Sequence, residues 1–291
     1  MTLITIRIIF DASLVYRIFE TQTNPMDSVK LQLLLAKVIS TAKNVGQWIL
    51  AERLENFTQD KVESKGLNDL VSYVDKIAEQ KIVYELTEHF PAGFITEENT
   101  LNSNQNYNWI IDPLDGTTNF VHNVPCFSVS IALEHNGEII LSVVYEINRD
   151  ECFYATKDCG SFLNMQQIRV SKTKQLKDSL IATGFPIYNF TKMEPYLKTL
   201  EYFMRNTHGI RRIGSAATDL CYLACGRFDG FFEYNLNAWD VAAGALIVKE
   251  AGGVVTDFKG ENNWLFGKEI IASNGLIEAE MRHSLQSNSL Q

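Results

Sequence analysis

Residues 109–122 read Trp-Ile-Ile-Asp-Pro-Leu-Asp-Gly-Thr-Thr-Asn-Phe-Val-His. The apolar opening suits a buried strand. Pro113 should end it, because proline has no N–H for a sheet ladder and its ring fixes φ. Two acids, Asp112 and Asp115, flank that break. Gly116 follows and permits a backbone shape or close approach that a side chain would forbid. Thr117, Thr118 and Asn119 then supply short polar side chains. Asp-Pro and Asp-Gly are also common turn dipeptides, and Asp112 could simply cap a turn. A turn does not explain why apolar residues lead straight into two acids with no Lys or Arg nearby. Carboxylates held close repel one another unless a cation sits between them. Mg²⁺ takes oxygen ligands and is usually held by a few carboxylates plus substrate phosphate. The stretch therefore describes a site for a hard cation beside an anion.

The chain has 291 residues, enough for one large or two intimate domains. Its net charge of −9 argues against nucleic acid as the main partner, since no basic stripe is present. An anionic substrate would need bound metal to be welcome at so acidic a site. The five cysteines are scattered and odd in number, which suggests no disulfide framework and fits a reducing cytoplasm. Cys221 and Cys225 share a helix face as small apolar side chains, and no Cys/His cluster has zinc spacing. No segment is long and apolar enough to span a membrane. Residues 1–25 read as a mobile N-terminal extension: Arg7 interrupts their Ile-rich start and no cleavage site follows.

Asp27 or Ser28 should cap a helix running to about residue 57, with Leu31, Leu33, Leu34, Leu35, Val38 and Ile39 buried. Residues 61–66 read as a polar connection. A second helix is expected over residues 69–90, with Val74, Ile77, Ala78 and Leu86 on one face. Strands follow at 94–96, 107–111, 127–134, 139–147, 151–155 and 161–163, with an Asn136-Gly137 hairpin turn. From about residue 178 strands and helices alternate: strands near 180–185, 211–213, 228–234, 254–258 and 270–272, helices near 192–206, 216–225 and 239–251, and a last helix. Gly252 suits the position after a helix end. The expected organisation is an α+β half over 26–177 carrying the acidic motifs and an α/β half over 178–291 completing the site, within one α/β fold.

The segment 112–122 closely resembles the central signature of the inositol monophosphatase family. Three further segments agree in order: residues 65–75, Glu97-Glu98, and Trp239-Asp240 leading to Gly252-Gly253. Four ordered motifs are far more specific than any one of them. The resemblance runs from about Met26 almost to the C-terminus. It implies a layered αβαβα sandwich of the sugar phosphatase type, a homodimer, and a lithium-sensitive phosphatase using two or three Mg²⁺, with Mn²⁺ as a substitute.

The resemblance also implies roles. Glu97, Asp112, Asp115 and Asp240 would be metal ligands, with the Leu114 backbone carbonyl. Asp240 by itself also reads as a helix N-cap. Thr117 would hold the attacking water, Asp75 would hydrogen-bond that threonine, and Glu97 would share in catalysis. Gly116, Thr117 and Thr118 would meet the phosphate through backbone N–H groups. Ala216 and Glu233 would meet the rest of the substrate beside Asp240, and Lys65 would lie near the site. Where the family more often has Gly before the glutamate pair, this chain has Thr96. The implied reaction is hydrolysis of a small phosphate monoester, myo-inositol 1-phosphate first. Nucleotidases acting on 3′(2′),5′-bisphosphates usually carry Lys-Glu where this chain has Thr118-Asn119. A sugar (bis)phosphatase and a catalytically idle regulatory binding protein are the other readings.

Overall fold

A computed structural model describes residues 27–58, 62–66, 69–99, 103–185 and 189–288. The 1–25 extension and the Lys65 side chain lie outside the described residues. Helix α1 (Ser28–Glu55) starts where Asp27 accepts a hydrogen bond from the Lys30 N–H at 2.8 Å. Such caps contribute roughly 1 kcal/mol. Leu31, Leu34, Leu35, Val38, Ala42, Val45 and Ile49 form its buried face. Leu33 was expected there but is 64% exposed, because it lies two residues from Leu31 and so on the other side of the helix. Strands β1 (Val62–Gly66) and β2 (Asp69–Ser72) pair antiparallel. A connection and a helix start were expected there. Helix α2 (Tyr73–His89) begins later, at a capping box between Ser72 and Asp75. Ile82 is buried in α2, while Ile77 faces out.

A seven-stranded sheet follows, in the order β3 (Gly93–Thr96), β4 (Tyr107–Asp115), β5 (Ser128–His135), β6 (Glu138–Glu146), β7 (Glu151–Thr156), β8 (Ser161–Leu163) and β9 (Gln166–Ile168). The short strand β9 lies beyond what the sequence pattern suggested. The β5–β6 turn has positive φ at both Asn136 and Gly137, as the two-residue hairpin requires. β4 corrects the expected break at Pro113. The strand runs on to Asp115, and its pairing with β5 shifts register between Asp112 and Asp115. The bulge takes up the proline that the ladder cannot use.

A second sheet of five strands contains β10 (Leu180–Thr183), β11 (Gly209–Arg211), β12 (Gly230–Tyr234), β13 (Val254–Thr256) and β14 (Glu269–Ser273), in the order β11-β10-β12-β14-β13. Between β4 and β5 lies the short helix α3 (Thr117–His122). The further α-helices among the described residues are α4 (Met193–Asn206), α5 (Ala216–Ala224), α6 (Ala238–Glu250) and α7 (Glu278–Ser287). Helices α1 and α2 cover the outer face of the large sheet, α5 and α6 lie between the sheets, and α4 and α7 cover the small one. The layers are αβαβα. The middle core explains the burial of α5 and α6: Ala217, Leu220, Ala242 and Leu246 pack with Ile110 and Val144 on one side and Phe231 and Ala272 on the other.

Candidate active site

The bulge in β4 gathers the first group of polar atoms. Asp112 is buried, and its Oδ1 accepts the Leu114 N–H at 2.9 Å. The Leu114 carbonyl accepts the Thr117 hydroxyl at 3.1 Å. β3 runs parallel to β4 with Thr96 beside Ile111, so Glu97, just past the end of β3, comes next to Asp112 at the β4 bulge. The Glu97 carboxylate stands near enough to raise the Asp112 pKa. Thr96 fits without strain: its hydroxyl donates to buried Glu79 at 3.0 Å, and Glu79 also accepts the Glu98 N–H at 2.7 Å. Glu79, which the sequence reading passed over, thus holds the corner that carries Glu97.

Gly116 opens α3 with φ of +97°, a conformation that favours glycine. A Cβ there would also lie 3.0 Å from the Cys126 carbonyl oxygen. Thr117 begins the helix, and its hydroxyl donates to Asp75 Oδ1 at 2.9 Å. Asp75 Oδ2 accepts both the Ser72 N–H and its hydroxyl. One carboxylate therefore caps α2 and orients Thr117. Burial raises its pKa, and these hydrogen bonds oppose the rise.

The small-sheet half completes the site through helix starts. Asp115 Oδ2 accepts the Ser215 hydroxyl and the Ala217 N–H, each at 2.7 Å. The Asn119 side chain donates to the Ile213 carbonyl at 2.8 Å. These bonds cross from the β4–α3 corner to the start of α5 and set Ala216 at the cavity edge. Helix α6 starts one residue earlier than expected, and its N-cap is Asn237. Asp240 is the third residue of the helix and closes a capping box, its carboxylate accepting the Asn237 N–H at 2.6 Å. The correction leaves Asp240 facing the same cavity. Glu233 enters from β12.

One cavity of about 350 Å³ is lined by Glu97, Asp112, Leu114, Asp115, Gly116, Thr117, Thr118, Ala216, Glu233 and Asp240. Its size is at the small end for ligand sites. Asp75 stands behind Thr117. Asp112 is pushed well above the ordinary carboxylate range by burial and then by Glu97, Asp115 and Asp240. Asp240 is pushed the same way, first by burial, against its bond from Asn237. Burial takes Asp115 to about 6, with Ser215, the α5 N–H groups and Arg212 opposing. A divalent cation would reverse these shifts. Among the described residues no three His, Cys, Asp or Glu side chains stand together as they are in a group that could hold a metal ion. The donors are all oxygen, which favours Mg²⁺ or Mn²⁺.

Two further lining residues, Arg212 and Asp219, were missed. Arg212 lies beside the Phe185 ring, 5.5 Å from its centroid, a contact no sequence spacing reveals. Asp219 did leave a signal: it is a lone acid within the otherwise uncharged run Ala-Ala-Thr-Asp-Leu-Cys-Tyr-Leu-Ala.

The model of the inositol monophosphatase family matches residues 30–291. A putative Nus factor SuhB of Neisseria meningitidis serogroup B is 44% identical over 250 residues, covering 85% of this chain and 95% of that protein. An inositol-1-monophosphatase of Rhizobium meliloti is 43% identical, covering 78% and 86%. The crystal structure of the extragenic suppressor protein suhB from Bartonella henselae superposes with a TM-score of 0.82 at 41% identity, covering 87% and 98%. The chain is a member of the inositol monophosphatase family.

Proposed function

We propose that this protein is a Mg²⁺-dependent phosphatase of small phosphate monoesters, with myo-inositol 1-phosphate as the leading substrate. The observation that carries the reading is the convergence of Glu97, Asp112, Asp115 and Asp240 on one small cavity beside Thr117. Glu97, Asp112, Asp115, Asp240 and the Leu114 carbonyl would hold the cations. Bound Mg²⁺ supplies Lewis acidity and lowers the pKa of a water. The chain supplies position. Thr117, fixed by Asp75, orients the nucleophilic water, and Glu97 flanks it. The N–H groups of the first α3 turn have no partners within the helix and can meet phosphate oxygens through Gly116, Thr117 and Thr118. Ala216 and Glu233 face the leaving group. Phosphate release from myo-inositol 1-phosphate, with Mg²⁺ and with excess EDTA, tests the reading; release unaffected by EDTA would overturn it.

Lithium provides a second test. A small monovalent cation can enter a site built by Asp112, Asp115 and Asp240 yet stabilise the leaving oxygen less well than Mg²⁺. LiCl should inhibit turnover where equal KCl does not, and equal rates in the two salts would count against the match at that metal.

Glu233 should set substrate choice. It is buried in β12, and burial lifts its carboxyl to about 8 with Arg212 opposing. Glu233→Gln is expected to lower kcat/KM for myo-inositol 1-phosphate by roughly tenfold, about one hydrogen bond, and to spare a simple ester without ring hydroxyls. Equal losses on both esters would remove Glu233 from this role. An adenosine 3′,5′-bisphosphate hydrolysed faster than the inositol ester would overturn the substrate itself.

The SuhB relatives, named Nus factors, favour a second reading in which binding a partner is the main role. Loss of all phosphate release in the native protein would favour that reading.

A further inference from the structure

Glu79 is a fully buried acid on the covered face of α2, among Val74, Ala78, Ile82 and Leu86. Taking a carboxylate out of water is costly unless its oxygens find strong donors. Packing alone asks for no charge there, since most of that face is apolar. Both Glu79 oxygens reach one short segment: Oε1 accepts the Thr96 hydroxyl at 3.0 Å, and Oε2 accepts the Glu98 N–H at 2.7 Å. The residue between those two contacts is Glu97.

Glu97 lies where such support matters. β3 ends at Thr96, so Glu97 is beyond the strand. Its own N–H reaches the Ile111 carbonyl at 3.3 Å, next to Asp112. A left-handed φ of +55° at Asn99 then ends the extended run. A segment beyond the ladder depends on side-chain bonds to stay in place. Glu79 holds the chain on either side of Glu97, and only a hydroxyl-bearing residue at position 96 supplies the first of its two bonds.

The same helix carries a second support one turn earlier. Asp75 is four residues before Glu79, on the same face and about 6 Å away along the axis. Its Oδ1 accepts the Thr117 hydroxyl at 2.9 Å. Thr117 and Glu97 are the two groups proposed above to flank the nucleophilic water. One turn of α2 therefore bears a support for each.

We propose that Glu79, together with Thr96, is a positioning residue of the reaction: it sets the Glu97 carboxylate beside Asp112 as Asp75 sets Thr117, so that a single turn of α2 fixes both groups around the nucleophilic water. The assignment rests on the phosphatase reading above.

The test measures Mg²⁺ binding by titration calorimetry without substrate, and kinetics on myo-inositol 1-phosphate at saturating Mg²⁺, in native protein, Glu79→Gln, Thr96→Val and Thr96→Ser. The glutamine keeps the volume but has one acceptor oxygen for two donors. Its Mg²⁺ dissociation constant should rise roughly tenfold and its kcat should fall roughly tenfold, the lower end of what removing the partner of a metal ligand costs. KM for the ester should change less than about twofold, because buried Glu79 cannot touch it. Thr96→Val should show the same pattern at smaller size, and Thr96→Ser, which restores the hydroxyl, should return to native values. In a Glu97→Gln background, Glu79→Gln should weaken Mg²⁺ binding no further, because the effect passes through Glu97. Should Glu79→Gln not fold, Thr96→Val and Thr96→Ser carry the same comparison. A lower melting temperature or kcat with an unchanged Mg²⁺ dissociation constant would make Glu79 a support of the fold alone and overturns the assignment. Equal weakening of Mg²⁺ binding with and without the Glu97 carboxylate overturns it too. Both results leave the phosphatase reading intact, whereas a native protein that neither binds Mg²⁺ nor releases phosphate overturns both.

Discussion

Asp112→Asn is expected to reduce Mg²⁺-supported phosphate release by about a thousandfold or more, while the metal-free protein melts no lower than the native one. The first effect follows from position. Asp112 sits at the bulge of β4, beside Glu97 and within the field of Asp115 and Asp240, where the proposed cations would need it. Replacing the acid by the amide removes ligand charge at almost constant volume. The second effect follows from the same crowding. Burial and three neighbouring acids disfavour the Asp112 anion, so an amide there relieves repulsion that only a cation would otherwise balance. The Leu114 N–H, 2.9 Å from Asp112 Oδ1, keeps an acceptor in the amide oxygen, and the bulge should hold. Mg²⁺ at a hundred times its dissociation constant stabilises a binding protein by about 2.7 kcal/mol. Native protein should therefore gain melting temperature on adding Mg²⁺, and Asp112→Asn should gain much less. Full activity in the variant, or equal Mg²⁺-induced shifts in both proteins, would sink the metal reading.

Thr117→Val should cost about a hundredfold in kcat, the scale of loss when a reacting group is mispositioned by about 1 Å. The substitution keeps the shape of the side chain and removes the hydroxyl that bonds Asp75 and Leu114. Asp75 keeps both Ser72 bonds on Oδ2 but leaves Oδ1 unmet in a buried setting, so stability should drop by about 1–3 kcal/mol. Thr117→Ser restores the hydroxyl and should recover most of both losses. If the serine variant were as slow as valine, or valine as fast as native, Thr117 would not orient the water.

Much of this was legible in the chain itself because the information is local. The cap at Asp27, the Asn136-Gly137 turn and Gly252 after α6 each depend on a few residues and their backbone angles. Asp112 and Asp115 stood out through their own neighbours, whereas Glu97, Asp240, Asp75 and Glu233 were singled out only by the family resemblance. The bulge at Pro113 was read as a break, because only pairing with β5 on one side and β3 on the other carries β4 through a residue that cannot donate. Asp240 was read as an N-cap, whereas Asn237 takes that place and Asp240 closes the box. The meeting of the motifs was beyond sequence spacing. Asp115 and Ser215 are 100 residues apart, and their bond joins an acid on one sheet to a helix between the two. The same layering buried α5 on every side and so left Asp219 with an orphaned oxygen. Local chemistry names donors and acceptors, but burial sets the cost of an unmet one, and burial is a property of the assembled layers.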